Sequence, residues 1–177
     1  LKDELDLYIK WELNIKGKKK ALKDWEKKWF SLLKKISYKK TSVVLRDFHV
    51  DNIFYLKDRN KLKRIGLIDF QDSLIGHPAY DLVSLLQDVR VFLSIEEQDS
   101  FYNYYKRHVK LEQDDFKFAY LVLGTQRLFK IIGIFKKLAI NQGKNDYLRY
   151  IPRTKKLIKH NLRSPIFNEL KVWLKTY

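Results

Sequence analysis

Apolar residues recur at three- and four-residue spacing over most of the chain and at closer spacing in only one stretch. Leu5, Ile9 and Leu13 share one face of a helix expected over Leu1–Ile15, with Leu7 and Trp11 near the other, so this helix should be buried on two sides. Gly17 with Lys18–Lys20 breaks it. Leu22, Trp25, Trp29, Leu32, Leu33 and Ile36 predict a second amphipathic helix over Ala21–Ile36. Trp25 and Trp29 could stack on bases, but aromatic residues at helical spacing read first as core. Further helices are expected over Tyr80–Phe92 and from the capping box Ser94-Ile95-Glu96-Glu97 to about His108. A long one over Phe116–Ile140 starts after the acids Glu112, Asp114 and Asp115. Gly124 and Gly133 inside it read as positions of close packing, and Gly143 as its C-cap. Tyr147–Leu162 and Pro165–Trp173 complete the helices, the last with Ser164 as N-cap and Pro165 at the first helical position.

The exception is Val43–Asp72. Val43–Leu45, Ile53–Leu56 and Ile65–Ile68 are short apolar runs of strand length, and Lys57–Lys61 has turn chemistry in Asp58 and Asn60. A hairpin lays its arms side by side, so the loop before Ile53 and the loop after Ile68 should emerge at one end. That would gather Asp47, Asn52 and Asp69 at one sheet edge. Two carboxylates and a carboxamide there suit a hard cation and a hydroxyl to be deprotonated.

Asp47-Phe48-His49-Val50-Asp51-Asn52 has the spacing D-x-x-x-x-N, with Arg46 in front, and Ile68-Asp69-Phe70-Gln71-Asp72 follows one hairpin later. The arrangement resembles the catalytic loop and metal-binding motif of kinase-like enzymes. It departs from protein kinases in having Leu45 where their loop has His and Gln71 where D-F-G has Gly. The run Ile68–Leu82 with Gly76-His77-Pro78-Ala79-Tyr80-Asp81 is closer to the small-molecule branch, the aminoglycoside phosphotransferase and choline kinase family. LRDFHVDN, IDFQDSLIGHPAYDLVSLLQD and Gln126–Phe135 are most similar to its anomeric N-acetylmuramate and N-acetylglucosamine kinases.

The resemblance implies an α+β fold: a mostly helical C-terminal lobe of the protein-kinase-like fold, with a small hairpin-based sheet carrying the catalytic loop. It implies a phosphotransferase that moves the γ-phosphoryl group of ATP, with Mg²⁺, to a hydroxyl of an amino sugar in cytoplasmic cell-wall recycling. Asp47 would be the catalytic base, and Asn52 and Asp69 the metal ligands. Arg46, His49 and Asp81 would support the loop, Asp81 by accepting backbone N–H bonds from below. Asp72, Gln126 and Arg127 would be available to substrate, and an arginine there suits a carboxylate. His49 and His77 could instead be read with Asp51 and Asp69 as a transition-metal cluster. Four histidines in the chain without a helical H-x₃-H pair argue against it.

Such an enzyme also needs a glycine-rich grip on the phosphates and a strand lysine. The six glycines here are isolated, and Met is absent even at position 1. Residues 1–177 are therefore expected to be one lobe, with the nucleotide-gripping lobe upstream and the fragment inactive alone. The net charge of +16, from 37 Lys+Arg against 21 Asp+Glu, raises a basic nucleic-acid-binding module as an alternative. The lysines are scattered, however, and a solvated face is the simpler reading. A catalytically inactive scaffold is the other alternative. A chain so basic is a poor host for polycationic aminoglycosides, and neutral or anionic sugars suit it better. Cysteine is absent, so thiolate and disulfide chemistry are excluded. No apolar run of membrane-spanning length is expected, and no membrane partner.

Overall fold

The computed structural model describes residues 2–13, 19–39, 41–109 and 113–177. The predicted end of the first helix, the break at Gly17–Lys18, Lys40 and Glu112 lie outside the described residues. Two compact units result: Leu1–Ile36 with Thr125–Tyr177, and Ser37–Gly124.

Aromatic packing organises the first unit. Helix α1 (Lys2–Trp11) buries Leu5, Tyr8 and Ile9, and α2 (Lys19–Leu33) buries Ala21, Trp25, Trp29 and Leu32. Both stripes follow the three-and-four repeat of an α-helix. Trp25 and Trp29 are fully buried, with ring centroids 5.7 Å apart. Trp25 also meets Phe129 at 5.2 Å and Trp173 at 4.8 Å, and Tyr8 meets Phe129 edge-on at 4.6 Å. They are core, and the stacking-platform reading falls away.

Phe129 lies on α5 (Gln113–Gln142), a helix of 30 residues. It corrects one expectation: by length and composition α5 could cross a membrane. In the fold 78% of its apolar window is buried, as in the core helix of a globular lobe. Gly143 ends it in the left-handed region at φ 67°, its N–H donating to the Ala139 carbonyl at 3.1 Å. A 3₁₀ segment, Asn145–Tyr150, precedes α6 (Ile151–Asn161), where one continuous helix was expected. The final helix α7 (Asn168–Thr176) also begins later than predicted. The Ser164 carbonyl accepts from Phe167 N–H in a 3₁₀ turn over Pro165–Phe167, and the Ser164 side chain caps nothing.

In the second unit the expected single hairpin sheet is two antiparallel pairs. Strand β2 (Ile53–Tyr55) pairs with β3 (Ile65–Leu67), Ile53 opposite Leu67. Strand β1 (Ser42–Val44) pairs with an unforeseen β4 (Leu74–Gly76), Val44 opposite Leu74. Three residues ending in Gly76 before His77-Pro78 carry too little pattern to read as a strand. Helix α3 (Ala79–Leu86) stops well short of Phe92, because the buried Asp88 takes Arg90 N–H at 3.0 Å and turns the chain. Helix α4 (Ile95–His108) opens with the full capping box: Ser94 Oγ accepts from Glu97 N–H, and the Glu97 carboxylate from Ser94 N–H at 2.7 Å. The whole is α+β and mostly helical.

At Gly133 a Cβ would lie 2.5 Å from the Leu7 carbonyl carbon and 2.7 Å from Tyr8 N, so α5 meets the backbone of α1 without clearance. Gly133→Ala is expected to cost about 1–3 kcal/mol, read as a lowered urea midpoint. Gly66→Ala, whose Cβ would meet only the end of the Leu56 side chain at 3.1 Å, should cost less.

Candidate active site

Two loops run between the two strand pairs. The first leaves β1 and enters β2; the second leaves β3 and enters β4. Each loop is thus held at both ends by partners of the other. The Ile68 N–H donates to the Asn52 carbonyl at 3.2 Å, which extends the β2–β3 ladder to the edge and puts Asp69 next to Asn52.

The first loop is bent tightly. Arg46 is at φ 68°, and Asp47 N–H donates back to the Leu45 carbonyl at 2.8 Å across it. A left-handed arginine costs about 1–3 kcal/mol and needs surroundings that over-determine it. Asp81, in the first turn of α3, supplies them: one carboxylate oxygen accepts Leu45 N–H at 2.7 Å and the other Arg46 N–H at 3.1 Å. Farther along, Asp88 accepts Val50 N–H at 3.0 Å. His49 N–H donates to the Asp47 carbonyl at 3.1 Å, and the His49 carbonyl accepts from Asn52 N–H at 3.0 Å, closing a 3₁₀ turn over Val50–Asn52.

Asn52 joins the loops. Its Nδ2 donates to the Asp47 backbone carbonyl at 2.9 Å and reaches the Asp69 carboxylate at 3.4 Å. Both donor contacts use the amide nitrogen, which leaves Oδ1 as the group able to face a cation. Asp69 is itself left-handed, φ 59°, and also accepts from Gln71 Nε2. Phe70–Ser73 is a turn, with Ser73 N–H donating to the Phe70 carbonyl at 3.1 Å. Asp47 and Asp69 are exposed, and Asp72 is exposed in the turn.

Charge is unevenly satisfied here. Arg90 takes Asp51 at 2.8 Å and Asp88 at 3.3 Å. Asp47, Asp69 and Asp72 have no ion-pair partner among the described residues. An amide oxygen and unpaired carboxylates are hard donors of the kind that suit Mg²⁺. Among the described residues no group of three His, Cys, Asp or Glu could hold a metal, so most of the ion's shell would have to come from ligand oxygens and water.

Of the remaining residues singled out from sequence, Arg46 and His49 sit in the first loop, half-buried. Gln126 and Arg127 are buried on α5 in the first unit. There Gln126 Nε2 donates to Glu4 at 3.3 Å, beside a Lys130–Glu4 ion pair of 2.7 Å. Burial opposes ionisation of Glu4, but the hydrogen bond and charge of Lys130 outweigh it and hold the carboxyl below its ordinary range. Asp88 and Arg90 were missed. The signal was an acid at the end of the α3 apolar run, which reads from sequence as one more helical position.

The family model described as "Phosphotransferase enzyme family" matches residues 3–120. The chain is 32% identical over 181 residues to an N-acetylmuramate/N-acetylglucosamine kinase of Caulobacter vibrioides, covering 100% of this chain and 50% of that protein. It is 32% identical over 163 residues to the protein of the same description from Neisseria meningitidis serogroup B, covering 85% of this chain and 47% of the relative. For that of Pseudomonas aeruginosa the figure is 29% over 166 residues, covering 86% and 47%. The chain spans about half the length of the curated relatives it matches.

Two outcomes follow from the clamp and its support. Asp81→Asn keeps one acceptor and sets an NH₂ group against the other backbone N–H. It should cost about 1–3 kcal/mol and speed amide exchange at Leu45 and Arg46. His77, just ahead of α3, accepts Ala79 N–H on Nδ1 at 3.1 Å and packs against Tyr38 and Phe116. Burial lowers its pKa, with Asp115 pulling the other way. The unfolded chain therefore binds a proton that the folded one rejects. This stability is complete above the ordinary imidazole pKa of about 6.5 and falls as pH drops through that value toward the lowered folded pKa. The slope is at most about 1.4 kcal/mol per pH unit. Urea midpoints across this window should show the decline, and His77→Asn should flatten it.

Proposed function

The chain belongs to the phosphotransferase enzyme family, and we propose that it carries the catalytic loop of an ATP- and Mg²⁺-dependent amino-sugar kinase. The acceptor is N-acetylmuramate or N-acetylglucosamine, phosphorylated at the anomeric hydroxyl. The observation that carries this reading is Asn52, whose one amide group touches both Asp47 and Asp69.

In this reading Asp47 orients the acceptor hydroxyl and takes its proton late, since phosphoryl transfer is loose and positioning does most of the work. Its carboxylate is exposed and free of an ion pair among the described residues, so no paired lysine or arginine competes with the acceptor for it. Asn52 Oδ1 and the Asp69 carboxylate hold the magnesium ion, which when bound neutralises charge on the phosphate oxygens. Asp72 accepts from acceptor hydroxyls. Arg46, His49 and Asp81 keep the loop in shape through their backbone bonds.

Residues 1–177 act as the C-terminal lobe. The phosphates are gripped by a lobe this chain does not contain: no G-x-G occurs in it, and it matches about half of its relatives' length. The similarity to N-acetylmuramate/N-acetylglucosamine kinases supports the choice of acceptor. The chain's positive charge favours neutral or anionic sugars over cationic ones.

The test is ATP consumption by the full-length parent with either sugar. Asp47→Ala should lower kcat by about 10²–10⁴-fold with little change in KM for ATP. Asp69→Asn should raise the Mg²⁺ concentration needed for half-maximal rate. Full activity in Asp47→Ala would remove the base assignment. An inert wild-type parent would turn the reading to a non-catalytic scaffold.

A further inference from the structure

The first unit contains a cleft of about 650 Å³ that is lined by none of the residues assigned to phosphotransfer. Phe129 and Ile132 of α5 lie covered beneath it, and its apolar surface comes from Ile158 of α6 and the half-buried Leu162 and Leu174. Apart from Tyr8 its polar lining is cationic: Lys155, Lys159 and Arg163 from α6 and the turn after it, Lys171 and Lys175 from α7. No acidic residue lines it. Lys155 is neutralised by Glu12. Lys159, Arg163, Lys171 and Lys175 have no carboxylate partner among the described residues.

Cations in the last turn of a helix often only complement its dipole, and Lys159 and Lys175 stand there. That account does not cover Lys171, nor does it require the charges of two helices to face one concavity. Four unpaired like charges around a low-dielectric floor repel one another and focus the field into the cleft, which raises the local concentration of anions. The shape narrows the anion further. The volume is that of a small-molecule site rather than a docking plane. A bare phosphate would leave the apolar sides at Leu162 and Leu174 wet, and an extended nucleic-acid backbone would use the rim alone. A flat bilayer does not enter a concavity.

We propose that this cleft binds a single-chain amphiphilic anion, its apolar chain against Ile158, Leu162 and Leu174 and its phosphate or carboxylate head among Lys159, Arg163, Lys171 and Lys175. The site is independent of the phosphotransfer reading.

The test is calorimetric titration of the purified protein with dodecyl phosphate and with dodecanoate, each below its micelle concentration. Saturable one-to-one binding of either is expected, weakening with added salt. Lys171→Gln with Lys175→Gln should weaken it about tenfold or more, and Lys34→Gln with Lys35→Gln should leave it unchanged. These are surface substitutions, and an unchanged thermal midpoint verifies that the fold persists. Dodecyl maltoside and inorganic phosphate should each bind at least about tenfold more weakly. The proposal is overturned if inorganic phosphate binds as well as dodecyl phosphate, or if the neutral maltoside does. It is also overturned if the paired lysine variant binds like wild type, if only anionic vesicles are bound, or if no saturable binding occurs.

Discussion

One carboxylate decides whether the loop Leu45–Asn52 has a shape. The backbone at Arg46 turns through a left-handed conformation that a non-glycine residue resists, and nothing local rewards it beyond the short bond across the turn. Asp81 accepts the two consecutive N–H groups on either side of that bend. Hydrogen bonds to an ionised acceptor contribute about 1.5–3 kcal/mol each, so two of them outweigh a strain of about 1–3 kcal/mol. Asp88 repeats the device at Val50, and Arg90 holds Asp88 in place while binding Asp51. The loop is therefore templated by α3 and the turn after it, not by its own sequence.

The same logic explains why such short strands suffice. β1 to β4 are three residues each, and an isolated two-stranded ribbon of that length is marginal in water. Here each pair closes one end of both loops, and the loops close the pairs in return through Asn52. The Asn52 carbonyl takes Ile68 N–H, its side chain takes the Asp47 carbonyl, and the same amide reaches Asp69. Register in β2–β3 and the approach of the two acids are thus one constraint. A slip by one residue would reverse the facing of Ile53 and Leu67 and carry Asp69 away from Asn52.

Sequence made the helices legible because their burial is periodic. Trp25, Trp29, Leu32 and the Ser94 capping box read correctly since local spacing and tertiary role coincide there. The β2–β3 hairpin was legible for the same reason. What escaped was set by distant partners. β4 exists because β1 is there to pair with it, and α3 ends at Leu86 because Asp88 is drawn to Val50 N–H and Arg90. Neither Arg46 nor Asp69 announces a left-handed backbone in a one-dimensional pattern. α5 was undervalued as an apolar helix because Gln126, Arg127 and Lys130 interrupt its hydrophobic run. In the fold Gln126 Nε2 and Lys130 Nζ both donate to Glu4, more than a hundred residues earlier.

The distribution of unpaired charge links these threads. In a chain of net charge +16 every acid could find a cation, and several do: Asp51 and Asp88 share Arg90, Glu4 has Lys130, Glu12 has Lys136 and Lys155. Asp47, Asp69 and Asp72 remain without one among the described residues, although Lys and Arg are abundant on both sides of them in sequence. Acids on adjoining loops repel one another, and an adjacent lysine would relieve that at once. In the proposed reading such a lysine would also compete with a divalent ion for Asp69 and hold the Asp47 carboxylate away from an acceptor proton. Leaving these acids bare favours a cation supplied with the substrate over one supplied by the fold. Under the proposed function the site works only when nucleotide and metal arrive together, and that reading needs such selectivity.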